Sequence, residues 1–198
     1  MSLKNPYLLI YNTLNALLWL RILLSILTSP AQPPETTYTT LEPWTRWTQT
    51  LAVLEILHAA SGLTRSPVFT TFTQIFARSV QVWAIDFAFA DLTRVSPAYK
   101  YMLFAWSIAD TIRYCYFVVL IAGVPVPGVL RWLRYSLFLF LYPIGISSEW
   151  WLMFKATVST DSWPVKALFV FFLGLYVPGS FMMYSYMVKQ RRKTLGAT

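Results

Sequence analysis

Four of the eight acidic residues in this 198-residue chain, Glu55, Asp86, Asp110 and Glu149, lie inside long apolar runs, together with His58, Arg78 and Arg113. A charge at bilayer depth costs about 2.5–3.5 kcal/mol on insertion scales, so groups retained there are expected to be paired, to face a bundle interior and to point to function. Asp110 and Arg113 are i,i+3 neighbours, as are Glu55 and His58, so each pair can partly neutralise itself. Asp110 and Arg113 admit two readings, a structural ion pair locking helices together and a direct catalytic role. His58 reads first as a packing or hydrogen-bonding histidine and second as a catalytic base. The stretch Tyr142-Pro143-Ile144-Gly145-Ile146-Ser147-Ser148-Glu149 carries a different signal. Pro143 removes a backbone hydrogen bond and predicts a kink. The small residues Gly145, Ser147 and Ser148 beside it predict a polar cavity able to admit another chain. Tyr142 and Glu149 are seven residues apart, which on an ideal helix puts them within roughly 20° of one face and about 10 Å apart along the axis. Two proton-handling groups could thus flank one substrate segment; the other reading is an interfacial tyrosine with Glu149 paired to a neighbouring helix.

These residues need a frame, and composition limits what it can be. The chain is 57% hydrophobic, 18% aromatic and only 12% charged, against roughly 25% charged in a soluble domain. One cysteine, Cys115, and one histidine cannot build a Cys/His metal cage, a disulfide framework or a histidine-box di-iron centre, so no metal site is expected. Apolar runs at about 6–27, 44–62, 67–90, 98–121, 132–154 and 164–188 predict an all-α polytopic membrane protein, a single domain of six transmembrane helices over 1–198. The stretch 28–43, with Pro30, Pro33, Pro34 and Pro43, reads as the longest loop.

An even number of spans puts both termini on one side. That side would carry eight basic residues, Lys4, Arg65, Arg131, Arg134, Lys189, Arg191, Arg192 and Lys193, against five on the other. Both termini are therefore expected in the cytosol. The net charge of +8 reflects this loop bias rather than nucleic-acid binding.

The chain resembles the very-long-chain (3R)-3-hydroxyacyl-CoA dehydratases, the protein-tyrosine-phosphatase-like A family of the endoplasmic reticulum, over nearly its whole length. The resemblance rests on Leu54-Glu55-Ile56-Leu57-His58 followed by Ser66, Thr70, Gln74 and Arg78, on Trp106-Ser107 with Arg113-Tyr114, and on Arg134-Tyr135 leading into Tyr142-Pro143-x-Gly145-x-x-x-Glu149. It implies dehydration of 3-hydroxyacyl-CoA to trans-2-enoyl-CoA in fatty-acid elongation, with the family's catalytic tyrosine and glutamate at Tyr142 and Glu149. Glu55, His58, Arg78, Asp110, Arg113, Arg131, Arg134, Gly145 and Ser148 are its candidate supporting or substrate-binding residues. Asp110 stands where the family usually has Glu, one methylene longer. The implied partners are the long-chain substrate, membrane lipid and other elongation enzymes. A phosphatase is not implied: its thiolate loop is closed by an arginine, whereas Cys115 lies in an apolar run and the sixth residue after it is Ile121.

Dehydration requires one group to take the proton beside the carbonyl and another to protonate the departing hydroxyl. Glu149 as base and Tyr142 as acid is the favoured order, the reverse and a water relay staying open. No metal, nicotinamide or other cofactor is required, and no nucleotide-binding glycine loop or G-x-S-x-G elbow is present. Arg131 and Arg134 precede Tyr142 by about 16 and 12 Å of helix, where they could hold coenzyme A phosphates. Two rivals remain at this stage, a catalytically inactive scaffold or regulatory subunit of an elongation complex, and a small transporter with a proton relay of Glu55, His58 and Asp110.

Overall fold

The computed structural model describes residues 6–196, and these are helical with no strand. Lys4 of the charge tally lies outside the described residues. In chain order the helices are α1 (Pro6–Thr28), α2 (Pro34–Leu51), α3 (Val53–Ala60) and α4 (Val68–Val80), which runs into a π-helical segment (Gln81–Phe87). There follow α5 (Ala90–Thr93), α6 (Pro97–Ile121), α7 (Gly128–Ser136), α8 (Phe138–Ser159) and α9 (Trp163–Leu195). Prolines start α2, α6 and α9, within the first two helical positions where the missing N–H has no partner to lose. Helix α6 stops where Gly123 adopts φ 74° and the amide of Val124 reaches back to the Val119 carbonyl, a turn that a side chain would strain.

Among the described residues, four helical rods are long and apolar enough to cross a membrane: Pro6–Thr28, Pro97–Ile121, Gly128–Ser159 and Trp163–Leu195. The segments expected as second and third spans are helical too, but interrupted. One breaks at Ala52 between α2 and α3; the other passes from α4 through the π-helical segment into α5.

The expected loop 28–43 is corrected to a short turn followed by helix. Pro34 sits at the helix start and Pro43 inside α2, so only one of the four prolines interrupts a run of intrahelical bonds. Hydropathy misread α2 because its inward face is polar: Thr37, Tyr38, Leu41, Glu42, Thr45, Thr48 and Gln49 are its buried residues, at helical spacing.

Helix α6 is the centre of the bundle, with α1 on one side and α8 on the other, and α9 packs on the far side of α8. Trp19, Ile22, Met102, Leu103, Leu152 and Ala156 join these helices in one core. Cys115 packs, partly buried, against that core. At the α6–α8 crossing, a Cβ on Gly145 would lie 3.6 Å from the Ala105 Cβ, ordinary contact distance, so the site has room for a methyl group.

Candidate active site

Helix α8 presents Glu149 between α6 and α9. Trp106 of α6 donates its indole N–H to Glu149 Oε1 at 2.8 Å, and Tyr176 of α9 donates its hydroxyl to Oε2 at 3.0 Å. Each carboxylate oxygen is thus held from a different neighbouring helix, and no arginine or lysine forms an ion pair with Glu149 among the described residues. Two turns earlier on α8, Tyr142 donates to the Ser180 carbonyl at 3.3 Å and packs against the Tyr184 ring. Helix α9 runs antiparallel to α8 here, so its successive turns at Tyr176 and Ser180 meet Glu149 and Tyr142 in turn.

Between α8 and α9 lies an open groove of about 460 Å³ lined by Pro143, Ile146, Ser147, Trp150, Trp151, Tyr176, Val177 and Ser180. Its lining contains Tyr176, which binds Glu149, and Ser180, which accepts from Tyr142, so both sequence-predicted catalytic residues stand directly behind one wall. Helix α8 continues through Pro143, and the Leu139 carbonyl, four residues back, loses its intrahelical donor there. Ser148 spends its hydroxyl on its own helix, donating to the Ile144 carbonyl at 2.8 Å.

Behind Glu149 four of the other candidates, Glu55, Arg78, Asp110 and Arg113, form one network. Arg78 of α4 lies 3.9 Å from the Trp106 ring centroid and pairs with Asp110 at 2.7 Å. Asp110 also accepts from Arg113 Nε at 3.0 Å, the expected i,i+3 contact. Arg113 continues to Glu55, with its two terminal nitrogens at 2.8 and 3.3 Å from the Glu55 oxygens. Glu55 also accepts from the Tyr114 hydroxyl and from Tyr11 at 3.4 Å. The series therefore runs Glu55, Arg113, Asp110, Arg78, Trp106, Glu149, Tyr176, crossing α3, α6, α4, α8 and α9.

The sequence pairing of Glu55 with His58 is corrected by this arrangement. Glu55 turns to Arg113, whose planar fork can engage both oxygens of one carboxylate, and His58 Nε2 lies 2.8 Å from the Tyr7 hydroxyl, stacked edge-on against Tyr7 and Tyr11. The histidine thus packs on α3 against α1 and is not among the residues that line the groove. Arg131 and Arg134 lie on α7, with the Arg134 guanidinium 5.8 Å from the Phe117 ring centroid. The end of α9 comes beside them, Arg191 donating to the Ser136 hydroxyl at 3.1 Å.

Sequence reasoning missed Trp106 and Tyr176 as partners of Glu149. Trp106 was visible as an aromatic four residues before Asp110, on the same helical face. Tyr176 carried no local signal, because only the antiparallel register of α8 and α9 brings it to Glu149.

The family model described as Protein tyrosine phosphatase-like protein, PTPLA, matches residues 49–197. The chain belongs to this family. Among PTPLA-related proteins it is 36% identical to a fission yeast protein, Schizosaccharomyces pombe, named probable very-long-chain (3R)-3-hydroxyacyl-CoA dehydratase, over 96% of this chain and 93% of that one. It is 37% identical to the Arabidopsis thaliana dehydratase PASTICCINO 2, over 97% and 94% of the two chains, and 30% identical to human very-long-chain (3R)-3-hydroxyacyl-CoA dehydratase 2, over 99% and 83%. No solved structure matches the chain. The PTPLA match covers every residue of the network from Glu55 to Tyr176.

Proposed function

We propose that this protein dehydrates a long-chain (3R)-3-hydroxyacyl-CoA to the trans-2-enoyl-CoA, with Tyr142 and Glu149 as its proton-handling pair. The observation that carries this reading is a carboxylate held at both oxygens behind a groove between two membrane-length helical rods, with a tyrosine hydroxyl two turns away against the same wall. Family membership and the names of the relatives support the same reaction class.

In the elimination, the C2–H bond breaks as the base takes the proton, its electron pair forms the C2–C3 double bond, and the C3–O bond breaks as the acid protonates the hydroxyl, which leaves as water. Glu149 is the base and Tyr142 the acid. Neither oxygen of Glu149 needs to lose its donor for this, since each carboxylate oxygen has lone pairs beyond the one it uses. The acyl chain occupies the groove between α8 and α9, whose wall is mostly aromatic and aliphatic. Coenzyme A lies at the end shared by α7 and the last turns of α9, where Arg131, Arg134 and Arg191 offer cations for its phosphates.

The same reading places the chain as one domain in the endoplasmic reticulum membrane, with six crossings once α2–α3 and α4 with its π-helical segment are counted. Both termini and the basic residues Arg131, Arg134 and Lys189–Lys193 face the cytosol, and other elongation enzymes are its neighbours. Glycosylation acceptors placed in the turn 29–33 and in the C-terminal tail test the orientation: modification of the turn alone is expected, and modification of the tail alone overturns it. The activity itself is tested by hydration of a long-chain trans-2-enoyl-CoA, the reverse reaction, by purified protein. Turnover is expected, and its absence in folded protein leaves the scaffold as the better account.

A further inference from the structure

The two donors to Glu149 are not equivalent. Trp106 approaches from the buried side: it is 6% exposed, backed by Arg78 on one ring face and edge-on to Trp19. Tyr176 approaches from the groove and is itself part of the groove lining. A ligand in the groove therefore meets the Tyr176 ring before it meets Glu149. The helix that carries Tyr176 is held locally from two sides, since Ser180 donates its hydroxyl to the Tyr176 carbonyl and receives Tyr142 on its own carbonyl. Tyr176 and Tyr142 thus belong to one turn of α9 contacts, and any shift of that turn moves the hydroxyl on Glu149 and the anchor of Tyr142 together.

We propose that Tyr176 is a positioning residue for the dehydration, fixing Glu149 Oε2 from the groove side while Trp106 fixes Oε1 from behind. The inference rests on the proposed role of Glu149. With both donors in place the carboxylate is fixed from two neighbouring helices, one bond to each oxygen, and each oxygen keeps accepting capacity beyond the bond it makes. With Trp106 alone, the carboxyl group rotates about its last bond, and the lone pair that must meet the C2 proton is aimed only part of the time. Misplacement of a reacting group by about 1 Å can cost a hundredfold in rate, so one such donor is expected to matter for turnover more than for binding.

The test is steady-state hydration of a long-chain trans-2-enoyl-CoA by purified protein, read per folded molecule from a monodisperse fraction. Tyr176→Phe keeps the ring in the groove and removes only the hydroxyl. A hydrogen bond to a charged group is worth about 1.5–3 kcal/mol, which corresponds to a fall in kcat of about tenfold to a hundredfold. KM is expected within threefold of the parent, because the groove wall is unchanged. A kcat within threefold of the parent, or a loss confined to KM, overturns the proposal. Coupling is measured against Glu149→Asp, which keeps the carboxylate but withdraws it from both donors. The double variant should be little slower than Glu149→Asp alone, and fully multiplicative losses would show that Tyr176 acts independently of Glu149. If Tyr176→Phe gives no monodisperse protein, fluorotyrosine incorporated at 176 keeps the ring and alters only the acidity of the hydroxyl. It should then shift the pH profile of kcat, and an unmoved profile overturns the proposal. The underlying reading fails separately: normal turnover in Glu149→Gln removes the base, whereas an inactive Glu149→Gln beside an unaffected Tyr176→Phe removes only the role given to Tyr176.

Discussion

Replacing Glu149 by glutamine separates chemistry from structure because the two effects have different expected sizes. Glutamine keeps an oxygen to accept the Trp106 indole N–H at 2.8 Å, and turns its amide toward the Tyr176 oxygen, which can accept in place of donating. Both hydrogen bonds therefore survive in neutral form. A charge-assisted bond contributes about 1.5–3 kcal/mol and a neutral one about 0.5–1.5, so the two together weaken by about 2 kcal/mol. Relief from holding a carboxylate away from water acts in the opposite direction. The net loss of stability should not exceed about 2 kcal/mol, or a fall in Tm of less than about 8 °C for a chain of this size. Removal of a general base, by contrast, should lower kcat by about a hundredfold to ten-thousandfold. Thermal unfolding in detergent and enoyl-CoA hydration on the same preparation measure both. Turnover within tenfold of the parent in the folded fraction refutes the catalytic assignment. A Tm fall clearly beyond about 8 °C with unchanged kcat refutes it differently, since that is the signature of a buried counter-charge, whose loss costs about 3–5 kcal/mol, or about 6–20 °C.

Tyr142→Phe should lower kcat by at least about a hundredfold while removing only one neutral hydrogen bond to Ser180, about 1 kcal/mol of stability, both readable in the same two assays. Glu55→Gln leaves Asp110 alone between Arg78 and Arg113, so stability should fall by about 3–5 kcal/mol, measured by thermal unfolding. Gly145→Ala places a methyl 3.6–3.8 Å from Ala105, Glu149 and Trp106, ordinary contact distances, and should keep fold and activity. Gly145→Val has no such room and should cost about 1–3 kcal/mol and displace the Trp106–Glu149 bond, seen as a joint loss of Tm and kcat. Changing Arg131 and Arg134 together to Gln should raise KM for a CoA ester more than for the matching pantetheine thioester, and an equal effect on both would exclude phosphate contact at these residues.

The parts of the fold that hydropathy reads well are the long rods in which apolar residues outnumber the few buried polar ones. Helices α1 and α6 and the α7–α8 and α9 rods were legible because lipid and core both demand hydrocarbon there. Helix α2 was not, because five of its seven buried residues are polar, Thr37, Glu42, Thr45, Thr48 and Gln49, so its inward face carries no hydropathy signal. Four of the charged residues in apolar runs, Glu55, Arg78, Asp110 and Arg113, are paired with one another. Their spacing along one helix could not reveal the contacts between helices, so Glu55 was matched to His58, three residues away, when its partner Arg113 is 58 residues away. The same limit hid Tyr176 from Glu149, 27 residues distant.

The groove between α8 and α9 opens on the outer surface of the bundle, where Val177 is 71% exposed and Trp151 45%. With the α7–α8 and α9 rods spanning a bilayer, anything that fits it would exchange with the plane of that bilayer rather than with bulk water. For an acyl thioester drawn from that plane, the governing concentration is its mole fraction among the lipids. Adding inert detergent or lipid at fixed total substrate should then slow the reaction by surface dilution alone, with no change at any residue of the protein.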